Sequence, residues 1–280
     1  MTLRVGRIPY INCYPVYGGI DRGVVTLDAE LVDGIPSQLN RLMARGALDI
    51  SVISAVEYAR DTARYLLLPD LAISCDGPVR SVMLFSRVPA ANLSGRRVLV
   101  TRSSMTSVAL LELLFEHVWD ARPSFVPADA EIADLARAEQ PEHDARLIIG
   151  DAALLLSSGT SDLARQYPYA YDLGAVWKEW TGLPFVFAVW VAQRTAPVAA
   201  ALGVHASLIM SRNWGLDHLP ELAAQASQAT AVSEPVCHEY LSGLDYGLSY
   251  EHLAGLTTFF GKLAATGRVP NGSLVFLPAA

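Results

Sequence analysis

The sequence predicts an α/β protein with two lobes and a ligand cleft between them. Strand-like apolar runs alternate with amphipathic segments of helical period, which is the pattern of sheets covered by helices on both faces. The stretch VPAANLSG at 88–95 separates two such units, and the apolar run FVFAVWVA at 185–192 is placed to return the chain to the first unit. We therefore predict a discontinuous lobe, residues 1–88 and 188–280, and a second lobe, residues 89–187.

The first unit is predicted to contain four strands and two helices. Leu39 and Met43 fall on one face of a helical segment. Ser54 and Glu57 have the S-x-x-E spacing of a capping box, which predicts that a short helix begins directly after a strand. The predicted strands are 3–8, 24–32, 48–54 and 81–87, and the longer helix is 37–46.

The second unit repeats the alternation of strand and helix. Val108, Leu111 and Leu114 mark the buried side of a long helix that follows the strand RRVLVT. After the return strand, residues 196–266 read as mostly helical. The predicted strands of this unit are 96–101, 124–128 and 146–150, with a helix at 131–139.

The bulk composition excludes some classes of partner. The chain has 280 residues and a net charge of −7, whereas nucleic-acid and anionic-membrane binders require a basic surface. Its longest apolar stretches, such as LPFVFAVWVA at 183–192, are about half the length that crosses a bilayer. The N-terminal MTLRVGRIPY lacks a signal-peptide pattern, and Cys13, Cys75 and Cys237 form no CxxC motif. We expect a cytoplasmic monomer or homodimer without nucleic-acid or membrane partners.

The strongest local signal for a ligand site is TRSSMTS at 101–107. It follows a predicted strand, opens a long helix and supplies hydroxyls at Ser104, Thr106 and Ser107. The start of a helix presents free backbone N–H groups and a partial positive charge, so it accepts a carboxylate or phosphate. The structural alternative is that Ser104 only caps the helix. Because the chain has no GxxxxGK[ST] or GxGxxG motif, we do not expect a nucleotide phosphate.

Four other corners carry polar groups that structure alone also explains. Ser54 fits a helix cap, and Ser81 follows the turn DGPVR at 76–80. Asp151 follows a buried strand at a predicted helix start, where the helix dipole favours a carboxylate. Thr181 and Gly182 form a turn that can offer a hydroxyl and a backbone N–H to a ligand.

The remaining chemistry of the sequence points to anion binding rather than to metal or nucleophilic catalysis. None of the six histidines has metal-ligand spacing, and the chain has no GxSxG motif. The aromatic strand that follows the 181–182 turn is more typical of core, although Phe185 is a candidate to line a cleft. We expect no metal and no organic cofactor.

Six segments together resemble the chorismate dehydratases, which begin the futalosine route to menaquinone. The N-terminal YIN and the later TGLPFVFA are the most specific of these motifs. A sister enzyme, which acts on cyclic dehypoxanthine futalosine, usually carries an SPCPNDTF-like segment where this chain has PYINCYPVY. The segments, in chain order, are IPYINCYPVY (8–17), LDISVISAVEYA (48–59), DGPVRSVMLFS (76–86), RSSMTSVALLELL (102–114), IIGDAALL (148–155) and YDLGAVWKEWTGLPFVFAVW (171–190).

The resemblance implies a type II periplasmic-binding-protein fold with mixed sheets, used as an enzyme. It implies a carbon–oxygen lyase that removes water from chorismate to give 3-[(1-carboxyvinyl)oxy]benzoate. It also makes Asn12 a central pocket residue that donates or relays a hydrogen bond near the leaving hydroxyl. The expected substrate contacts are Tyr10, Ser54, Ser81, Ser104, Thr106, Ser107, Thr181, Gly182 and Phe185.

Two questions stay open at the level of sequence. The proton acceptor is either Asp151 or the substrate's own enolpyruvyl carboxylate, and we favour the carboxylate because the matched motifs supply few acids or bases. The function itself has two rivals, a non-catalytic carboxylate-binding protein of the same fold and the sister enzyme. A binding fold alone does not establish catalysis.

Overall fold

The computed structural model describes residues 2–129, 142–158, 164–270 and 272–278. The helix predicted at 131–139 lies outside the described residues. Among the described residues, no helix combines the length and apolar character needed to span a bilayer.

Ten strands of the described chain form two five-stranded sheets. Most follow apolar runs of the sequence, in which β-branched and aromatic residues favour extended backbone. They are β1 Leu3–Arg7, β2 Ala29–Asp33, β3 Ile50–Ser54, β4 Tyr65–Cys75, β5 Val82–Ser86, β6 Arg97–Thr101, β7 Ser124–Ala128, β8 Ala145–Ile149, β9 Tyr169–Asp172 and β10 Phe185–Gln193.

Ten α-helices of the described chain cover the sheets. Short 3₁₀ helices lie at Ile11–Cys13, Ala90–Asn92 and Ala164–Gln166. The α-helices are α1 Tyr14–Asp21, α2 Pro36–Ala44, α3 Ala55–Arg60, α4 Met105–His117, α5 Gly150–Ser157, α6 Leu173–Thr181, α7 Val198–Asp217, α8 Leu219–Thr230, α9 Glu234–Ser242 and α10 Tyr250–Ala265.

Each sheet is mixed, with parallel strands at one side and an antiparallel crossing strand. The first has the order β2-β1-β3-β10-β4, where β10 runs antiparallel to both β3 and β4. The second has the order β7-β6-β8-β5-β9, where β5 runs antiparallel to both β8 and β9. The two sheets therefore have the same strand pattern, which agrees with two α/β lobes.

The chain passes between the sheets before β5 and again before β10. The sequence-based limits put residues 82–88 in the first lobe, whereas β5 pairs with strands of the second sheet. The first crossing is therefore at 76–81 and the return is at 182–184, ahead of the limits at 88 and 188. Periodicity identifies a strand but does not say which sheet it joins. We still propose a division into two lobes, with the crossings between them at 76–81 and 182–184.

Several other elements differ from the sequence-based expectation. The strand expected at 24–32 is formed only at Ala29–Asp33, and β4 and β9 were not predicted. The apolar sequence pattern of β4 is broken by Pro69 and by Asp70, and Asp70 has a positive φ of 53°. The capping box at Ser54 does not form, because the Ser54 side chain makes no cap hydrogen bond.

The crossing at 76–81 is fixed by Asp172, which ends β9 and caps α6. Its Oδ1 accepts hydrogen bonds from the backbone N–H of Val79, at 3.0 Å, and its Oδ2 accepts from that of Arg80, at 2.6 Å. Oδ1 also accepts from the N–H groups of Gly174 and Ala175, at 2.9 and 3.1 Å. Arg80 has a φ of 61°, a conformation that costs free energy for a residue with a side chain. The carboxylate of Asp172 therefore offsets backbone strain beside Ser81.

The close approach of α1 and α7 gives a first prediction. A Cβ at Gly215 in α7 would lie 2.2 Å from the Pro15 carbonyl oxygen, whereas a Cβ at Gly203 in the same helix would meet nothing within 4 Å. We expect Gly215→Ala to lower the free energy of unfolding by about 1–3 kcal/mol through overpacking. Gly203→Ala is the matched control and is expected to raise it by up to about 1 kcal/mol. Denaturant unfolding measures both, and equal effects would contradict this packing.

The role of Asp172 gives a second prediction. Asp172→Asn keeps the shape of the side chain but replaces one acceptor oxygen with an N–H donor that faces backbone N–H groups. We expect the free energy of unfolding to fall by about 1–3 kcal/mol. Asp76→Asn removes an exposed ion pair with Lys178 in the same crossing and is expected to cost about 0–1 kcal/mol. An Asp172 variant no less stable than the Asp76 variant would rule out the carboxylate as the anchor of the crossing.

Candidate active site

A cavity between the two sheets contains most of the predicted site residues. It holds about 570 Å³ of space free of protein atoms, a volume that includes space open to solvent. Tyr10, Asn12, Ser54, Ser81, Ser104 and Ser107 all line it. The other lining residues are Ile8, Cys13, Pro36, Ile73, Val79, Val82, Ile149, Gly150, Phe187 and Ala188.

Helix N-termini from both sheets converge on this cavity. Pro36 is the first residue of α2, Ser104 is the N-cap of α4, and Ile149 is the N-cap of α5. The carboxyl ends of parallel strands lie at one edge of each sheet, so the helices that follow them begin at the same place. The start of a helix carries free backbone N–H groups and partial positive charge, and residues from three such starts line this cavity.

The cavity lining contains no ionised side chain among the described residues. An anion in this cavity is thus stabilised by N–H dipoles and hydroxyls, because no lining lysine or arginine is present to pair with it. Apolar side chains, including Ile73 and Phe187, supply the rest of the surface. A small organic anion with an apolar body matches this combination.

Asn12 brings an unsatisfied amide oxygen to the cavity. The residue lies in the 3₁₀ helix Ile11–Cys13 between β1 and α1, and Pro9 and Pro15 flank this helix. Its Oδ1 is buried, and no described residue donates a hydrogen bond to it. A buried amide oxygen without a donor costs free energy, which a ligand that donates a hydrogen bond recovers.

Ser54 is held by Asn40 rather than by a helix cap. Asn40 in α2 is buried, and its Nδ2 donates a hydrogen bond to Ser54 Oγ at 3.2 Å. The Ser54 backbone N–H in turn donates to Asn40 Oδ1 at 3.1 Å. Because Ser54 Oγ is an acceptor in this pair, its own proton remains available to the cavity.

Ser81 is held by Tyr240 in a similar way. The Tyr240 hydroxyl, on α9, donates to Ser81 Oγ at 2.8 Å. Burial is the main cause that raises the pKa of Tyr240, so the phenol stays protonated. The Ser81 carbonyl accepts from the Gly150 N–H at 2.8 Å, so Ser81 is bonded to residues of both lobes.

Ser104 and Ser107 form the first turn of α4. Ser104 Oγ accepts from the Ser107 N–H at 3.2 Å, which confirms that Ser104 is the helix cap. The two hydroxyls are also 3.0 Å apart and share one hydrogen bond. Both residues line the cavity, so capping and ligand binding are compatible here.

Asp151 bridges the two lobes near Asn12. Its Oδ1 accepts from the Ile11 N–H at 3.2 Å, and its side chain does not line the cavity. Burial, and then the charge of Asp151, raise the pKa of the Cys13 thiol, so that thiol stays neutral. Tyr10 packs its ring against Gly150, where an added Cβ would lie 3.2 Å from the ring.

Four residues predicted as ligand contacts lie outside the cavity lining. Thr106 is fully buried, and its Oγ1 accepts from the Val56 N–H at 3.2 Å. Thr181 donates to the carbonyl of Trp177, and Gly182 ends α6 with a left-handed φ of 73°.

Phe185, the fourth, is buried against Trp177, Phe187 and Phe259. The segment from residue 181 to 185 therefore serves a helix end and the aromatic core, and the lining aromatic residue on β10 is Phe187.

The sequence did not identify three residues that hydrogen-bond to lining residues without lining the cavity themselves. Asn40 and Tyr240 are buried and donate hydrogen bonds to Ser54 and Ser81, and the half-buried Asp172 accepts from the backbone N–H of Val79, which lines the cavity. Asn40 and Tyr240 lie within amphipathic helices, where nothing in a single sequence marks them. A usable signal exists only for Asp172, which precedes the helix LGAVWKEWT as an N-cap aspartate.

Sequence comparison links the chain to enzymes of menaquinone biosynthesis. A family model described as menaquinone biosynthesis matches residues 3–265. A chorismate dehydratase from Thermus thermophilus is 32% identical over 264 residues, which cover 90% of this chain and 94% of that protein. A 1,4-dihydroxy-6-naphtoate synthase from the same organism is 26% identical over 282 residues, covering 95% of each chain.

Structural comparison identifies the fold, and the family model identifies the family. A protein from Archaeoglobus fulgidus has a TM-score of 0.77 at 20% identity, covering 96% of this chain and 98% of that chain. The alkanesulfonate-binding protein from Xanthomonas axonopodis pv. citri has a TM-score of 0.66 at 16% identity, covering 98% and 96%. The expected periplasmic-binding-protein-like fold is thus confirmed. Because the family model spans most of its length, the chain belongs to the menaquinone biosynthesis family.

Proposed function

We propose that this chain is a chorismate dehydratase, a hydro-lyase that converts chorismate to 3-[(1-carboxyvinyl)oxy]benzoate and water. The observation that carries the proposal is the 32% identity to a chorismate dehydratase over nearly the full length of both chains. The cavity supports it independently, because its hydroxyls and helix starts suit an organic anion. The reaction is the first step of the futalosine route to menaquinone, as the sequence resemblance implies.

The two carboxylates of chorismate match two groups of donors in the cavity. The start of α4, with Ser104 and Ser107, supplies hydroxyls beside a helix N-terminus. Ser54 and Ser81 supply two further hydroxyls whose protons are free to donate. Hydrogen bonds from such groups to a carboxylate are charge-assisted and stronger than neutral ones. The substrate's ring then lies among the apolar lining residues.

Asn12 is matched by the substrate's leaving group. With both carboxylates ionised, the ring hydroxyl is the single hydrogen-bond donor on chorismate. The Asn12 Oδ1, which no described residue supplies with a donor, is the acceptor that this hydroxyl satisfies. Such a contact orients the carbon–oxygen bond that breaks relative to the neighbouring carbon–hydrogen bond.

The proton acceptor we propose is the enolpyruvyl carboxylate of the substrate. Asp151 is engaged with the Ile11 N–H and does not line the cavity, and the described lining holds no other carboxylate or imidazole. The enolpyruvyl carboxylate takes the proton from the ring carbon that bears the ether oxygen, and the electron pair of that carbon–hydrogen bond forms the new double bond to the carbon that loses the hydroxyl. The hydroxyl departs with its bonding pair, takes that same proton from the carboxyl group and leaves as water, which regenerates the carboxylate. The ring becomes aromatic, so the protein's task is to orient the substrate and exclude bulk water.

Incubation of the purified chain with chorismate tests the proposed reaction. We expect a product lighter than chorismate by one water, with the ultraviolet spectrum of a substituted benzoate. If the chain binds chorismate and the mass of the chorismate stays unchanged, the chain is a carboxylate-binding protein of this fold. Turnover of cyclic dehypoxanthine futalosine without turnover of chorismate would instead assign the sister activity.

Two substitutions separate the roles proposed for Asn12 and Asp151. We expect Asn12→Ala to lower kcat about 10²-fold, because the leaving hydroxyl loses the acceptor that orients it. Asp151→Asn can still accept from the Ile11 N–H and is expected to change kcat less than about tenfold. Steady-state kinetics on folded variants measure both. Near wild-type turnover by Asn12→Ala would refute its role, and inactivity of Asp151→Asn would make Asp151 the base.

A further inference from the structure

We infer that Tyr240 is a positioning residue that fixes the Ser81 hydroxyl as a hydrogen-bond donor to a carboxylate oxygen of the bound ligand. This inference rests on the proposed function and adds a residue that lies behind the cavity wall. Tyr240 does not line the cavity, so its effect on the ligand passes through Ser81.

The geometry of the pair assigns the direction of the hydrogen bonds. Tyr240 is 2% exposed and Ser81 is 3% exposed, and the Tyr240 hydroxyl donates to Ser81 Oγ at 2.8 Å. A serine hydroxyl has one proton and two lone pairs. Since the bond from Tyr240 occupies a lone pair, the Ser81 proton must point elsewhere.

The rest of Ser81 is already satisfied by the protein. Its backbone N–H donates to the Val79 carbonyl at 2.7 Å, and its carbonyl accepts from the Gly150 N–H. No described residue accepts the hydroxyl proton of Ser81. Because Ser81 lines the cavity, that proton is directed to whatever occupies the cavity.

The chemistry of the pair favours a negatively charged acceptor. A hydroxyl that accepts one hydrogen bond becomes a stronger donor in the next, so the chain from Tyr240 to Ser81 to the ligand is cooperative. Burial raises the pKa of Tyr240 and keeps its phenol neutral, so the phenol always has a proton to donate. Ser54, which accepts from Asn40, presents a second donor of the same kind.

A double-mutant cycle tests the inference with Tyr240→Phe, Ser81→Ala and the double variant. We expect Tyr240→Phe to lower kcat/KM for chorismate about tenfold and Ser81→Ala to lower it about 10–100-fold, as for the loss of a hydrogen bond to a charged group. The double variant should be no worse than Ser81→Ala alone, because Tyr240 acts only through that hydroxyl. Tyr246→Phe is the matched control, since its hydroxyl donates to the Leu241 carbonyl, and kcat/KM should not change.

Several outcomes separate this inference from a structural role and from the proposed function. The inference is overturned if Tyr240→Phe lowers kcat/KM by the same factor in the wild type and in the Ser81→Ala variant. It is also overturned if Tyr246→Phe lowers kcat/KM as much as Tyr240→Phe does. If Tyr240→Phe fails to fold, 3-fluorotyrosine at 240 replaces it, and its more acidic hydroxyl should lower KM, whereas an unchanged KM counts against the inference. If the wild type does not convert chorismate, the proposed function fails by itself. The same cycle is then measured as chorismate affinity by calorimetry.

Discussion

The cavity depends on one constraint: helices from both sheets must begin at its wall. The first backbone N–H groups of a helix have no partner within the helix and can bond to a ligand. The chain carries a net charge of −7, and the described cavity lining contains no lysine or arginine. The groups that the lining offers to an anion are therefore helix-start N–H groups and hydroxyls, which are preorganised dipoles. This requires the helices to begin where the parallel strands end, which the order of each sheet ensures.

Two serine hydroxyls of the cavity lining are oriented as hydrogen-bond donors by neighbouring side chains. A free serine can donate or accept, so it contributes little selectivity for an anion by itself. Here Ser54 accepts from Asn40 and Ser81 accepts from Tyr240, so one lone pair of each hydroxyl is occupied and its proton remains to be donated. Neutral groups arranged in this way favour negative charge while avoiding the desolvation cost of a buried lysine or arginine.

The sequence was sufficient for most local elements, although it did not predict β4 or β9. The run FVFAVWVA and the cap at Ser104 depend on neighbours along the chain, and both were predicted correctly. Tyr240 and Ser81 are 159 residues apart, so no local pattern relates them. The TGLPF segment misled for the opposite reason: its residues match a helix end as well as a ligand loop, and only the tertiary structure distinguishes the two.

Ser81 lines the cavity and is hydrogen-bonded to residues of both lobes. Its hydroxyl is bonded to Tyr240 in the first lobe, and its carbonyl is bonded to the N–H of Gly150 in the second. The preceding residue, Arg80, is held at a positive φ by Asp172. A change in the angle between the lobes must alter at least one of these bonds, since each is close to its ideal length. The donor geometry at Ser81 therefore depends on the relative position of the two sheets.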